Sequence, residues 1–343
     1  MTIPPRAHFC WIGTGLPWAY VFAILSAAER SGLAEIILHH TDALAEGAEL
    51  RALKDAPGVQ LSRTDPLACL DEAGRRLGVG GALAGLYGRL AAPVVRADVL
   101  RAAILYLYGG VYLDLDTVTT ASLLPLLQMR QFVGSEFIVW PLSVRASRSP
   151  LVWARHLGLD LARKTMRRLP GGWKAFRRVE QFYFRGVNNA VMGMEANAPL
   201  ISDYLRAMLA VAPERQGQAY ALGPDLLQEV VDRYQGDDLA VQPPEVFYPL
   251  PPEISEHWFR IGQGSDLNAV LSGGTRVVHW YASVRSKARV AAIDPLYVRE
   301  HRDRQLYSAL VWSCVRALPD LCSKASGRPR PSAPGGAGRR ASA

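Results

Sequence analysis

Residues 96 to 118, RADVLRAAILYLYGGVYLDLDTV, constrain this chain more than any other stretch. A helix with an acid and two arginines near its start runs into a glycine pair. A short apolar strand follows at once and ends in Asp114-Leu115-Asp116. Two residues apart on a strand, the two aspartates leave the same face. Carboxylates held that close at the end of a buried strand repel unless a cation or a shared proton lies between them. A divalent metal is expected there.

The preceding helix adds an acid–guanidinium pair. The spacing puts Asp98 in the first turn, where a carboxylate suits the positive end of the helix dipole. Arg101, three residues on, shares its face at the rim. Leu100, Ala103, Ile104 and Leu107 form the opposite, core-facing stripe, and Gly109-Gly110 supplies a left-handed stop. Tyr112 shares the face of Asp114 and Asp116 by the period of two.

The chain around this unit predicts an α/β layered domain with a mostly parallel sheet flanked by helices. Arg6 to Gly13 reads as an opening strand ending in a glycine turn, and Pro17 to Arg30 as a helix with proline at its first position. Glu35 to His39 is a continuously apolar strand, covered on both faces. Val59 to Ser62 is another strand, and Asp65-Pro66 caps a helix to about Arg76. Such sheets bind ligands at the carboxyl ends of their strands. The Trp11-Ile12-Gly13 turn and the Asp-Leu-Asp segment are both placed there. Gly78 to Pro93 reads as a glycine-rich loop without nucleotide-loop spacing. Further strands are expected at 132–136, 137–142, 188–194, 239–250 and 276–280. Helices are expected at 199–211, 224–234 and 294–318.

At 343 residues the chain can hold one large domain or two ordinary ones. A net charge of +8 favours anionic partners. Between Arg163 and Arg185, eight basic residues stand against Glu180 alone, interleaved with aromatic residues. This stretch, within an expected basic insertion at 143–187, reads equally as a solvated helix face or as a patch for anionic membrane or acidic substrate. It lies outside any nucleic-acid module, so nucleic acid is not an expected partner. The four cysteines show no metal-ligand spacing and read as buried thiols in a reducing cytoplasm. No signal peptide and no membrane-spanning run is evident, leaving a cytoplasmic protein with peripheral membrane contact as the expected setting. The domain is expected to run over 1–322, followed by a disordered tail at 323–343.

Magnesium and manganese prefer a few carboxylate oxygens plus substrate phosphates. A lone D-x-D is a weak signal for them, and the preceding helix, glycine pair and buried strand raise its specificity. The run R-A-D-x-x-R-x-x-I-L-Y-x-Y-G-G-V-Y-L-D-L-D resembles the signature of the DXD-motif sugar transferases. These include yeast outer-chain mannosyltransferase, α-1,4-galactosyltransferases and bacterial capsular polysaccharide enzymes. The opening I-P-P-x-x-H-F-C-W-I-G is similar to that family's first strand. Asn188-Asn189, Gly223-Pro224 and His279-Trp280 look like its later landmarks.

The resemblance implies a GT-A fold and a metal-dependent hexosyl transfer from a nucleotide diphosphate sugar, with retention, to a glycan or glycolipid in surface polysaccharide synthesis. UDP-hexose is the favoured donor and GDP-mannose the alternative, with Mn²⁺ or Mg²⁺ as cofactor. By position, Trp11 and its backbone would hold the base. Asp98 and Arg101 would bind the donor sugar, and Asn189 would line its pocket. Tyr112 and Asp114 would lie against ribose and metal. Asp116 would be the direct metal ligand and His279 a further one. One departure is Ser283-Val284-Arg285, where the family often has a Ser-Trp pair; Arg285 stands ready to neutralise phosphate instead.

Each of these residues also has a plainer reading: His279 as a core histidine, Trp11 as packing, Asn188 and Asn189 as a turn. Asp98–Arg101 read as a surface ion pair would contribute about 0.2–0.5 kcal/mol. Two other classes remain in view. Asp114-Leu-Asp116-Thr-Val118 also matches the nucleophile motif of haloacid-dehalogenase-like phosphohydrolases, although the later lysine and acidic pair lack good counterparts. A non-catalytic glycan- or lipid-binding module is the other. Glu136 and Asp225 are the acids available as nucleophiles for a double displacement.

Overall fold

The computed structural model describes residues 2–316 and 318, apart from 219, 263 and 284–286. The expected tail at 323–343, Arg285 and Cys322 lie outside the described residues.

The two continuously apolar runs near the start become β1 (Arg6–Trp11) and β2 (Glu35–His40), paired in parallel from Arg6↔Glu35 to Trp11↔His40. With no alternation to expose, both need a layer on each face. The Trp18–Arg30 helix lies on one side and the Pro93–Tyr108 helix on the other. The remaining strands are β3 (Val59–Arg63), β4 (Gly110–Leu113), β5 (Thr117–Thr119), β6 (Gln131–Ile138), β7 (Phe184–Met194), β8 (Leu239–Gln242) and β9 (Val277–His279). The seven-stranded sheet has the order β3-β2-β1-β4-β7-β6-β8, with β7 antiparallel to both its neighbours. All its other pairings are parallel. The strands β1, β4 and β6 therefore end on one edge. A two-stranded ribbon of β5 and β9 stands beside it, pairing Thr117 with His279.

The glycine pair at the end of the Pro93–Tyr108 helix is required by geometry. Gly109 has φ 61° and Gly110 φ 106°. A Cβ on Gly110 would lie 2.8 Å from the Arg6 carbonyl oxygen. Only glycine turns the chain from helix to strand in that space.

Several sequence expectations are corrected. The expected loop at 78–93 contains a helix, Ala82–Arg89, whose Leu83, Leu86 and Tyr87 are buried. Tertiary burial outweighs its glycine content there. The two strands expected at 132–142 are one, β6. The strand expected over 239–250 ends at Gln242, because Pro243 and Pro244 divert the chain into a short helix. The last helix is two, Pro295–His301 and Leu306–Cys314. Cys10, Cys69 and Cys314 are buried free thiols, as expected.

Beneath β1 and β2 a hydrogen-bonded histidine chain is buried. His8 Nε2 lies 2.9 Å from the Gly109 carbonyl, which can only accept, so Nε2 carries the proton. His8 Nδ1 then accepts from His39 Nε2 at 3.0 Å, and His39 Nδ1 faces the Thr64 hydroxyl at 3.0 Å. Burial keeps both rings neutral at neutral pH. Burial, followed by the neighbouring imidazole, lowers His8 to about 3 and His39 to about 4. The unfolded chain takes up protons below about 6.5 while the folded chain does not. Stability is therefore expected to fall on acidification from pH 6.5 towards 4, by up to about 1.4 kcal/mol per pH unit for each ring. Urea midpoints measured across that range check this. A His39→Gln variant should show a shallower slope, and an unchanged slope would remove the histidines as its cause.

Candidate active site

Asp114 and Asp116 are not on a strand. The strand β4 stops at Leu113, and a turn carries the two aspartates into β5. They still converge, because the turn is tied down. The Asp114 amide donates to the Ala190 carbonyl at 2.8 Å, and the Thr117 hydroxyl donates to the Asp114 carbonyl at 2.7 Å. Tyr112, on β4, donates its hydroxyl to Asp114 Oδ1 at 3.1 Å. Around Asp116 the 279–282 segment closes a clamp. The Trp280 amide donates to the Asp116 carbonyl at 3.0 Å and the Ala282 amide to Oδ2 at 2.7 Å. His279 Nε2 lies 3.0 Å from Oδ1. Ligand atoms of Asp114, Asp116 and His279 all fall within 4.8 Å of one another.

Behind this group sits Arg101. The rim position expected for it and Asp98 is not observed. The Pro93–Tyr108 helix begins earlier than the motif suggests, so Asp98 stands in its second turn, away from the dipole's positive end, and from Asp98 to Leu107 the helix is buried on all sides. Sheet strands β1 and β4 cover one side of the helix; other helices, Pro199–Ala210 among them, cover the other. Arg101 reaches Asp114 at 2.9 Å, Asp98 at 3.2 Å and the Asn189 carbonyl at 2.9 Å, over the Tyr112 ring. Asn189 donates to Asp98 at 2.8 Å. The Gly223 backbone closes this pocket: a Cβ there would meet Asp98 Oδ2 at 3.0 Å. The side chains of Asp98 and Arg101 are 8% and 6% exposed, against 22% for Asp114 and 15% for Asp116. A ligand therefore meets the two motif aspartates first.

Charge follows the same geometry. Burial raises Asp98, partly offset by Arg101. Burial pushes Asp114 up to about 6, with Arg101 opposing it and Asp116 adding to it. Burial acts on Asp116 too, but the charge and hydrogen bond of His279 outweigh it and hold this carboxyl below the ordinary range. The reciprocal effect raises His279 despite its burial.

Two further residues belong to the site, neither with a local signal in the sequence. Glu136, on β6, is buried and accepts from Asn188 at 2.7 Å and from the Tyr281 hydroxyl at 2.5 Å. Tyr281 has φ 59°, a left-handed conformation costly for a residue with a Cβ. Its ring lies 4.0 Å from that of His279. Glu136 thus anchors the segment that clamps Asp116. Tyr20 is the second: its ring bridges Trp11 at 5.4 Å and Trp280 at 6.3 Å. Burial and then Asp116 raise its hydroxyl to about 12. Trp11 sits at the end of β1, with Gly13 donating to Asp42 at 2.9 Å close by. A cavity of about 380 Å³, lined by Leu16, Pro17, Ala45 and Leu50 among others, opens beyond the ends of β1 and β2. It does not include the aspartates. Asp225 stands apart, 3.8 Å from Arg145.

The basic stretch at 163–185 divides: Arg163, Arg167 and Arg177 turn inward, while Lys164, Arg168, Lys174, Arg178 and Arg185 are exposed. Arg163 pairs with Asp160 and Glu253, Lys164 with Asp160, and Arg167 with Glu256. Arg177 donates to the Pro249 and Val270 carbonyls and stacks on Trp173. Trp173, Phe176 and Tyr183 are core.

Two carboxylates and an imidazole, with the carboxylates partly open, make a donor set that fits a hard divalent cation. His279 is the less supported ligand of the three. Its Nδ1 is buried without a partner among the described residues, lacking the hydrogen bond that commonly orients a ligating imidazole.

Residues 79–133, which carry this motif, match the family model described as "Glycosyltransferase sugar-binding region containing DXD motif". On that match the chain is a glycosyltransferase, and Asp114-Leu115-Asp116 is its DXD motif. No curated protein matches it in sequence. Solved structures similar to it include the PaToxG glycosyltransferase, at 15% identity over 67% of this chain and 69% of that one, with a TM-score of 0.38. Mouse xyloside xylosyltransferase 1 is similar at 12% identity over 80% and 96%, with a TM-score of 0.42. The galactosyltransferase LgtC, solved with donor and acceptor sugar analogues, is similar at 13% identity over 84% and 95%, with a TM-score of 0.34. These superpositions are loose; the enzyme class stands on the matched segment.

Proposed function

We propose that this enzyme transfers a hexose from a nucleotide diphosphate sugar to a glycan or glycolipid acceptor, with retention of anomeric configuration and a divalent cation held by Asp114 and Asp116 and assisted by His279. One observation carries the reading. Asp98, Asp114, Asp116 and Glu136 converge on a single edge of the sheet, paired among the described residues with Arg101 and His279. A nucleoside diphosphate is an anion, and such a site repels it unless a cation intervenes. When bound, Mn²⁺ or Mg²⁺ supplies the charge that stabilises the departing diphosphate.

The protein's own residues do the positioning. Arg101 and Tyr112 hold one oxygen of Asp114, fixing the carboxylate beside Asp116 and His279. The Ala282 amide and Glu136-bound Tyr281 fix Asp116 from the other side. Asp98 and Asn189, at the back of the pocket, present polar edges to the donor sugar's hydroxyls. Trp11 and the backbone that follows it hold the base at the end of β1.

A panel of UDP- and GDP-sugars, assayed for release of nucleoside diphosphate with Mn²⁺, Mg²⁺ or a chelator, tests this. Turnover of at least one donor is expected with metal and its loss with chelator. Full turnover in chelator would sink the metal reading and leave the transferase class standing.

A further inference from the structure

The Pro150–Arg168 helix carries a surface that the reaction does not use. Its inner side is held to the body: His156 donates to the Val139 carbonyl at 2.7 Å, and Arg163 pairs with Glu253 at 2.7 Å. Its outer side is apolar. Leu157 and Leu161, one turn apart, and Leu151 nearer the start of the helix are 56%, 68% and 82% exposed. Three exposed leucines are not explained by packing, since they touch solvent rather than core. The exposed charges on this helix are all positive: Arg155, Arg168 and Lys164, the last half-exposed and also paired with Asp160 at 2.6 Å. The helix's one acid, Asp160, is buried and paired with Arg163 and Lys164.

We propose that this outer face docks on an anionic lipid bilayer. A leucine ridge bordered by arginine and lysine is the form of a helix that lies in the interface plane, its apolar face among the acyl chains and its cations at the headgroups. A protein partner of ordinary composition would be met by a mixed-charge rim instead. The surface takes in only Lys164 and Arg168 of the basic stretch: Arg163, Arg167 and Arg177 turn inward, and Lys174, Arg178 and Arg185 are exposed on the segments that follow the helix. No helix among the described residues is long and apolar enough to cross a membrane, so the contact is peripheral.

The place of the helix gives the contact a use. The helix follows β6 from the sheet edge that also carries Asp114 and Asp116, and Trp153 packs on Trp140 at 5.3 Å. The start of the helix is thereby tied to the sheet edge at which the motif aspartates stand. That favours an acceptor anchored in lipid, a step that rests on the proposed transfer reaction; the docking itself does not.

The test is vesicle co-sedimentation of the full chain, using phosphatidylcholine with and without phosphatidylglycerol. Binding is expected only with the anionic lipid and is expected to weaken in high salt. The double variant Leu157→Glu/Leu161→Glu should lose about tenfold in apparent affinity while its thermal melt stays that of wild type, because both side chains already face water. Lys164→Gln/Arg168→Gln should weaken binding without touching the leucines. Wild type that ignores anionic vesicles overturns the proposal. So does a leucine variant that binds as wild type, since another basic segment such as 323–343 would then carry the contact. A concentration-dependent dimer abolished by the leucine variant would assign the face to a second copy of the chain instead.

Discussion

Replacing Asp116 by alanine is expected to lower metal-dependent donor turnover by about 10³-fold, the scale on which loss of a preorganised charge stabiliser acts. Asp116 is the carboxylate that the fold keeps ionised. Its oxygens receive His279 Nε2 and the Ala282 amide, and its carboxyl is held below the ordinary range although it is buried. An ionised ligand is what a hard cation needs. Asp114, pushed up towards neutrality by burial, is the weaker partner and already shares one oxygen with Arg101 and Tyr112. Asp116→Asn separates charge from shape: the amide oxygen can still accept from Ala282, while the negative charge is gone. Both variants should therefore fail in turnover and in Mn²⁺ binding measured by calorimetry. If Asp116→Asn binds Mn²⁺ and turns donor over at the wild-type rate, Asp116 is not the ligand and the metal reading falls with it.

The local rules of the chain were legible because they are local. Asp65 caps its helix through the Leu67 and Ala68 amides, and Gly109-Gly110 stops the Pro93–Tyr108 helix at the expected place. The apolar runs of β1 and β2 could only be covered strands. What the sequence hides is depth and distance. Helical spacing places Asp98 and Arg101 on one face but says nothing of what packs there, and in the fold that face is interior. Charge counting found eight cations at 163–185, but Glu253 and Glu256, which answer two of them, lie far along the chain. Glu136 could be suspected only as a free acid, because Tyr281, its partner, is 145 residues away. The aspartate pair survived a wrong local assignment. A tied turn brings the two carboxyls together as firmly as a strand pleat would have.

Arg101→Met should unfold the protein at lower urea, by about 3–5 kcal/mol at neutral pH, because it removes the guanidinium that compensates the buried Asp98 and the partly buried Asp114. The methionine keeps most of the stem, so packing on Tyr112 is largely retained and the loss reads as electrostatic. Asp98 and Asp114 are already raised by burial with Arg101 present. Without it both rise further, and each favours its protonated form. A carboxyl whose folded pKa exceeds its unfolded value contributes stability that is complete at low pH and lost as pH rises through the folded value. The deficit of the variant relative to wild type is therefore expected to shrink between about pH 7 and pH 5, as the two orphaned acids take up protons. Arg101→Lys should recover only part of the loss, since a single ammonium cannot reproduce the fork that meets Asp114, Asp98 and the Asn189 carbonyl together. Urea midpoints for the three proteins at several pH values decide the matter. A pH-independent deficit would mean that the guanidinium acts through packing alone. A variant as stable as wild type would mean that these carboxylates are not held ionised against it, and the charge argument for a bridging cation would lose its foundation.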